Sequence, residues 1–325
     1  MARVFRWGII GAGNIAGAFA QGLGELPDAE CYAIASRDEA KAASFAKKYG
    51  CKKYYDSYAE MLADPSVDIV YVATPNNLHY THTMMALEAG KHVLCEKPFA
   101  ITCEQAMTMM RTSREKNLFL MEAMWSRFLP SVLETKKRLD AGEIGNPLLL
   151  QAEFGIHPPY DPTSRLFDPK LGGGSIPDIG IYPIFLALFL FGDPLSVEII
   201  SVPAPTGVDM TTTIVMKHKE DRMSVLTSSF AFDLESDAKI TGDSGRLRLC
   251  RMFHIPTTLR VRHKVDEPEL EIPVHLEGNG YNYEAQEVMK CVAEGKIESD
   301  MWSHSHTLRL LNIVERAAKD AFFNT

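Results

Sequence analysis

Between residues 4 and 124, short apolar runs alternate with longer stretches whose apolar positions recur at helical spacing. Phe5-Arg6-Trp7-Gly8-Ile9-Ile10 predicts a strand, and strands follow over 31–35, 69–73, 93–95 and 118–121. Helices are predicted over 14–23, 39–49, 79–89 and 104–115. Strict alternation of strand and helix predicts an α/β fold with a doubly wound parallel sheet.

After Trp125 the rhythm changes. A helix over 130–141 leads to a strand over 148–154, a Pro/Gly-rich loop over 157–174 and a helix from Asp178. Strand-like runs then succeed one another at 197–202, 211–217, 223–231, 237–241, 246–249 and 258–261. Helical patterns over 282–294 and 304–322 close the chain. Successive strands without intervening helices predict an α+β domain with a large, open, mostly antiparallel sheet and helices on one face. The expected division is a first domain over 1–124 and a second over 125–325, the last helix packing back on the first. A sheet face without helical cover predicts a homodimer interface.

The chain has 325 residues, which suits two domains, with 46% hydrophobic and 23% charged residues, ordinary for a soluble globular protein. A net charge of -8 offers no electrostatic case for nucleic acid or an anionic membrane. Cys31, Cys51, Cys95, Cys103, Cys250 and Cys291 contain no C-x-x-C pair, so neither a metal site nor a redox pair is expected. They read as free thiols of a reducing cytoplasm. The first residues run directly into a strand and leave no room for a signal peptide, so a cytoplasmic location is expected. The longest apolar stretch, 181–191, is too short to span a bilayer and carries Pro183; it reads as a buried helix.

Gly11-Ala12-Gly13-Asn14-Ile15-Ala16 follows the first strand and opens the first helix. Gly11 permits a tight turn, and Gly13 lets the backbone approach a pyrophosphate resting on the helix amino terminus. Gly11, Gly13, Asn14 and Ile15 are therefore expected to hold a dinucleotide. At the end of the second strand stand Ser36 and Arg37, a hydroxyl and a planar guanidinium suited to a 2′-phosphate. NADP is the expected cofactor, with NAD as the alternative. Asp38 is one residue late for a ribose contact and suits a helix cap, or else an ion pair with Arg37.

Glu96-Lys97-Pro98 ends the fourth predicted strand. Ligands of an open α/β sheet bind at the carboxyl ends of its strands, where a lysine ammonium can orient an alcohol oxygen and lower a neighbouring acid's pKa. Farther on, Gly172-Gly173-Gly174 leads to Asp178 and, four residues later, Tyr182. A carboxylate and a phenol one helical turn apart can line one wall of a pocket. The competing reading makes Asp178 a helix cap and Tyr182 a half-buried core phenol.

Together these pieces, with Ala73-Thr74-Pro75-Asn76-Asn77-Leu78-His79, resemble the glucose–fructose oxidoreductase and inositol dehydrogenase (Gfo/Idh/MocA) family over essentially the whole chain. The segment from Leu118 to Phe128 and Ala35-Ser36-Arg37-Asp38 are most similar to its dihydrodiol dehydrogenase and D-xylose dehydrogenase branches. The resemblance implies an oxidoreductase of sugars, polyols or trans-diols. It assigns Lys97, Tyr182 and Asp178 to catalysis, Tyr182 exchanging the alcohol proton. It places Thr74, Asn76, His79, Glu96, Lys97 and Arg165 at the cofactor, Trp125, Phe154 and Asp178 at the substrate, and no metal. It also implies a cis Lys97-Pro98 bond. Many relatives carry histidine where this chain has Tyr182. The same architecture serves sugar–sugar oxidoreductases with tightly bound cofactor and non-catalytic nucleotide sensors; a sensor needs neither Lys97 nor Tyr182. Tyr160, Arg165 and Phe167 are candidates to line the pocket from the 157–171 loop.

Overall fold

In the computed structural model, which describes residues 3–323, the early strands are buried on both faces, as parallel strands covered by helices must be. The chain divides into two units. Unit one takes the chain up to Trp125 together with Glu277–Leu308, and unit two takes Ser126–Leu276 and the chain from Arg309 on.

The sheet of unit one contains β1 (Phe5–Ile10), β2 (Ala29–Ala35), β3 (Lys53–Tyr55), β4 (Ile69–Val72), β5 (His92–Glu96) and β6 (Leu120–Ala123). All its neighbours pair in parallel, in the order β3-β2-β1-β4-β5-β6. Helices α1 (Asn14–Leu23), α2 (Glu39–Tyr49), α3 (Tyr58–Ala63), α4 (His79–Glu88) and α5 (Cys103–Glu115) make the crossovers. The sequence pattern predicts five strands and misses β3 and α3. The reason is that β3 is not held by apolar burial. Asp64, itself buried, accepts from Lys53 Nζ and Tyr55 Oη, both at 2.7 Å, and so clamps the edge strand through polar contacts. Burial pushes the Asp64 carboxyl up, but the Lys53 ammonium and these hydrogen bonds outweigh it and hold the pKa well below the ordinary value. Asp38 caps α2 by accepting from the Lys41 N–H at 3.1 Å.

Unit two begins with α6 (Pro130–Asp140) and holds α7 (Ile181–Phe191). Its sheet comprises β7 (Pro147–Gly155), β8 (Ser196–Pro203), β9 (Asp209–Lys217), β10 (Met223–Ser229), β11 (Ala238–Gly242), β12 (Arg246–Leu249), β13 (Leu259–Arg262) and β14 (Leu270–Ile272). The order is β14-β13-β12-β11-β7-β10-β9-β8, antiparallel except where β7 and β10 run together. The short edge strand β14 escapes the sequence pattern, since only Ile272 of its three residues is buried. Residues of β8 alternate between exposed and half-buried, leaving Ile200 72% and Val202 60% exposed. The helical stretch Pro169–Phe191 is long and apolar enough to cross a membrane by composition, and 83% of its apolar window is buried inside the protein. Its hydrophobicity is that of a core helix.

The 125–325 division does not hold as predicted, because α8 (Tyr281–Ala293) belongs to unit one. Asn279 Nδ2 donates to the Ala18 carbonyl at 2.8 Å, and a Cβ on Gly22 would lie 2.9 Å from the Asn282 nitrogen. A small residue on α1 thus lets α8 approach. The final helix α9 (His304–Phe323) starts in unit one, and its chain is counted with unit two from Arg309. Before and within α9, Trp302 Nε1 and Thr307 Oγ1 donate to Glu122 Oε2 of β6, at 3.1 and 3.0 Å.

Glu122 is buried, and burial pushes its carboxyl from 4.5 up to about 7 despite the three hydrogen bonds it accepts. Asp209 in unit two is pushed by burial from 3.8 up to about 7. An unfolded chain releases both protons at lower pH than the folded one, so stability present at acid pH is lost as pH rises towards about 7. By linkage Glu122 accounts for about 3 kcal/mol and Asp209 for about 4 kcal/mol. Glu122→Gln is expected to reduce but not abolish the fall in melting midpoint between about pH 5 and about pH 8, because the buried Asp209 and Glu284, whose carboxyls are also pushed up, remain. Calorimetric melting across that range checks this, and an unchanged slope would refute it.

Candidate active site

Unit one places the glycine turn and the lysine turn at one edge of its sheet, following the carboxyl ends of β1 and β5. Gly11 has φ +100°, and a Cβ there would lie 2.8 Å from the Ala73 carbonyl oxygen, so no other residue fits this turn. Gly13 is the N-cap of α1 and has open space where a Cβ would stand. No side chain caps α1 and no acid lies in its first turn, so its leading N–H groups at Asn14 and Ile15 are left for an anion. These features fit a dinucleotide pyrophosphate.

The turn after β5 is gripped from several directions. Tyr71 Oη donates to Glu96 Oε1, and the Lys97 N–H donates to Glu96 Oε2 at 3.0 Å. The Phe99 N–H donates to Glu122 at 3.1 Å, and Lys97-Pro98 is a cis bond. Lys97 itself is half-buried. His79 was expected at the cofactor; instead it is buried, its two ring nitrogens each 2.7 Å from a carbonyl, of Pro98 and of Thr74. Burial outweighs those carbonyls and lowers its pKa to about 4, and the neutral ring donates to one carbonyl at a time, of Pro98 or of Thr74 according to its tautomer. Thr74 Oγ1 lies 3.0 Å from His82 Nδ1, and Asn76 opens the short helical turn before α4. Ser36 is buried at the end of β2 and accepts from the Asp38 N–H at 3.3 Å. Asp38 caps α2 and pairs with Lys41, while Arg37 stands exposed beside them. Trp125 stacks flat on Tyr281, ring centres 4.2 Å apart.

Unit two carries Tyr182 and Asp178. Tyr182 is buried; its ring centre lies 4.8 Å from His254 and 6.0 Å from Phe154, and Phe154 stacks on His254 at 4.1 Å. Asp178 does not open an α-helix. It sits within a π-helical turn, Ile176–Gly180, that precedes α7, so α-helical spacing does not set its face relative to Tyr182. Nor does it cap the helix. That role falls to Asp209, whose Oδ2 accepts from the Ile176 N–H at 2.8 Å and from Ser175 Oγ at 2.5 Å. Gly174 has φ +124°, and a Cβ there would meet Asp209 Oδ1 at 2.3 Å, so the glycine loop is shaped around this carboxyl. Arg165, expected at the cofactor, pairs with Asp178 at 2.8 Å. A cavity of about 440 Å³ is lined by Tyr160 and Phe167 from the predicted loop, with His157, Met210 and Phe230. Arg165 is not among its lining residues.

Sequence reasoning misses Asp209, Glu122, His254 and Glu284. Asp209 starts a strand and His254 falls in an irregular stretch, while Glu122 lies within the Leu118–Phe128 segment, where the resemblance assigns it no role. An acid amid apolar residues, as at Glu122, is the one signal available beforehand. Glu284 of α8 is wholly buried, and neither carboxyl oxygen finds a protein hydrogen bond. Burial and the nearby Glu96 push its pKa well up, so it holds its proton.

Residues 5–124 match the oxidoreductase family with an NAD-binding Rossmann fold, and residues 132–248 match the GFO/IDH/MocA C-terminal domain. The chain is 35% identical to a trans-1,2-dihydrobenzene-1,2-diol dehydrogenase of Xenopus tropicalis, covering 96% of each chain. It is 34% identical to the protein of that name from Danio rerio, covering 97% of this chain and 96% of the relative. Among solved structures it resembles a 3-ketoreductase from Actinomadura kijaniata in complex with TDP-benzene and NADP. The TM-score is 0.86 at 27% identity, over 98% of this chain and 97% of that one. The chain belongs to the Gfo/Idh/MocA family of NAD(P)-binding oxidoreductases.

Proposed function

We propose that this protein is an NADP-preferring dehydrogenase that moves a hydride between the nicotinamide and a secondary alcohol of a sugar, polyol or trans-dihydrodiol. The observation that carries the reading is Lys97, half-buried after β5, two strands along from the glycine turn after β1. That edge is where ligands of an open α/β sheet bind. Bound NADP supplies the hydride acceptor. Lys97 orients the alcohol oxygen and favours negative charge on it and on the phenol. Tyr182 takes the hydroxyl proton in oxidation and returns it in reduction. An unperturbed tyrosine titrates at about 10, which is why a cation is needed in this role. Asp178, oriented by Arg165, holds a second substrate hydroxyl, and Trp125 and Phe154 supply apolar walls.

Several facts support this reading. The curated relatives are named for a cyclic diol, and the ketoreductase holds NADP. That ketoreductase has also been solved with a tyrosine or a lysine replaced, the two residue types assigned here. Arg37 supports NADP, because the competing partner Asp38 is engaged with α2 and Lys41. The exposed Ile200 and Val202 of β8 support a second copy of the chain as the cover of the open sheet. A nucleotide sensor without turnover would have no need of both Lys97 and Tyr182.

Lys97→Ala and Tyr182→Phe are each expected to lower turnover by about 100-fold or more. NADP binding should stay within about threefold, since the pyrophosphate contacts are elsewhere. Absorbance at the reduced-nicotinamide band, with a panel of aldoses, inositols and trans-diols, measures the first and calorimetry the second. Full turnover in both variants would remove the assigned chemistry. Arg37→Ala should weaken NADP by about tenfold and leave NAD nearly unchanged. Equal weakening of both cofactors, by calorimetric titration, would sink the 2′-phosphate assignment.

A further inference from the structure

Cys31 and Cys51 stand twenty residues apart in sequence, yet their Sγ atoms lie 2.8 Å apart and share a hydrogen bond. The sequence pattern gives no redox pair, because neither cysteine belongs to a C-x-x-C motif. The sheet brings them together. In the β2–β3 pairing Ala33 stands opposite Lys53. Two residues back on each segment are Cys31 and Cys51, and residues two apart along extended chain share a face. An ion pair between Lys52 and Glu30 links the same two segments beside the thiols. Both cysteines are half-buried, so neither is sealed in the core. They take no part in the site described above, and no potential metal cluster occurs among the described residues.

We propose that Cys31 and Cys51 form a reversible disulfide site whose co-substrate is a small-molecule disulfide. The Cys51 thiolate attacks one sulfur of RSSR and expels one thiolate. The Cys31 sulfur then displaces the second R-group thiolate from Cys51, and the two protein protons end on two RSH. The two cysteines are oxidised by two electrons and the small disulfide is reduced by two. The hydrogen bond with Cys51 and burial push the Cys31 thiol up, so Cys51 attacks first; once Cys51 is capped as the mixed disulfide that hydrogen bond is lost, and Cys31 gives up its proton as it attacks as the resolving group. The bridge joins β2 to the segment leading into β3 and closes a loop that contains Ser36, Arg37 and the whole of α2. Tightening that loop changes the freedom of the Arg37 turn, a consequence that rests on the NADP assignment.

The test uses the full chain, reduced and then equilibrated with oxidised glutathione, quenched with an alkylating reagent and mapped by mass spectrometry. The expected product has lost two hydrogens and two alkylatable thiols and yields one linked peptide containing Cys31 and Cys51. Dithiothreitol should reverse it, and the melting midpoint should rise by several degrees. Cys31→Ser should instead trap glutathione on Cys51. If Cys31 and Cys51 both stay alkylatable, or the linked peptide joins other cysteines, the site is refuted. The bridged form should change the NADP dissociation constant at least about threefold, and Cys31→Ser under the same oxidant should not; about threefold corresponds to a small coupling energy. An unchanged constant would overturn the link to the Arg37 turn. Absence of NADP binding in every form would instead count against the cofactor assignment and leave the mapped bridge standing.

Discussion

The turn carrying Lys97 lies inside unit one, and a buried turn must satisfy its backbone polar groups within the protein. Three elements meet that demand. Glu96 takes the Lys97 N–H, Glu122 takes the Phe99 N–H, and His79 donates to the Pro98 or the Thr74 carbonyl according to its tautomer. Each of those side chains is itself buried. Ionic groups are costly in such a place, which is why Glu122 titrates near neutrality and His79 stays uncharged. The lysine's position at the sheet edge therefore depends on a polar network beneath it.

Unit two solves a similar problem in the same way. A glycine loop enters the π-helical turn before α7, and Asp209 supplies the acceptor for the first helical N–H. Ser175 and Thr212 complete the surroundings of that carboxyl. The three glycines are thus not only a means of letting a ligand approach. Gly174 is obligatory because its φ is positive and because Asp209 occupies the space its side chain would need. In both units, a buried carboxyl sets the conformation of the segment that bears the assigned chemistry.

These carboxyls also explain why the assigned residues cannot be read in isolation. Arg165 is exposed and paired with Asp178, so it acts first on that acid. Such an exposed pair contributes little to stability, and its value lies in orientation. Tyr182 sits among aromatic rings of β7 and the loop after β12, where ring contacts fix its plane.

Elements held by apolar burial were legible in the sequence. Strands β1, β4 and β5 are nearly continuous apolar runs, and Gly11, Gly13 and Lys97 mark the ends of two of them. That sufficed for the α/β assignment, and with the Ala73–His79 and Gly172–Tyr182 pieces for the family. Elements held by polar contacts were not legible: β3 depends on Asp64, and neither Lys53 nor Tyr55 announces that partner. Long-range partners were hidden for the same reason. Glu122 with Trp302, Asp209 with Ile176 and Cys31 with Cys51 are joined only by the folded sheet. Hydrophobic periodicity is a local property of the chain, so the sequence alone determined the order of elements and the ends at which chemistry collects. Satisfying buried polar groups is a property of three dimensions, so only the tertiary structure decided which side chains hold those ends in place.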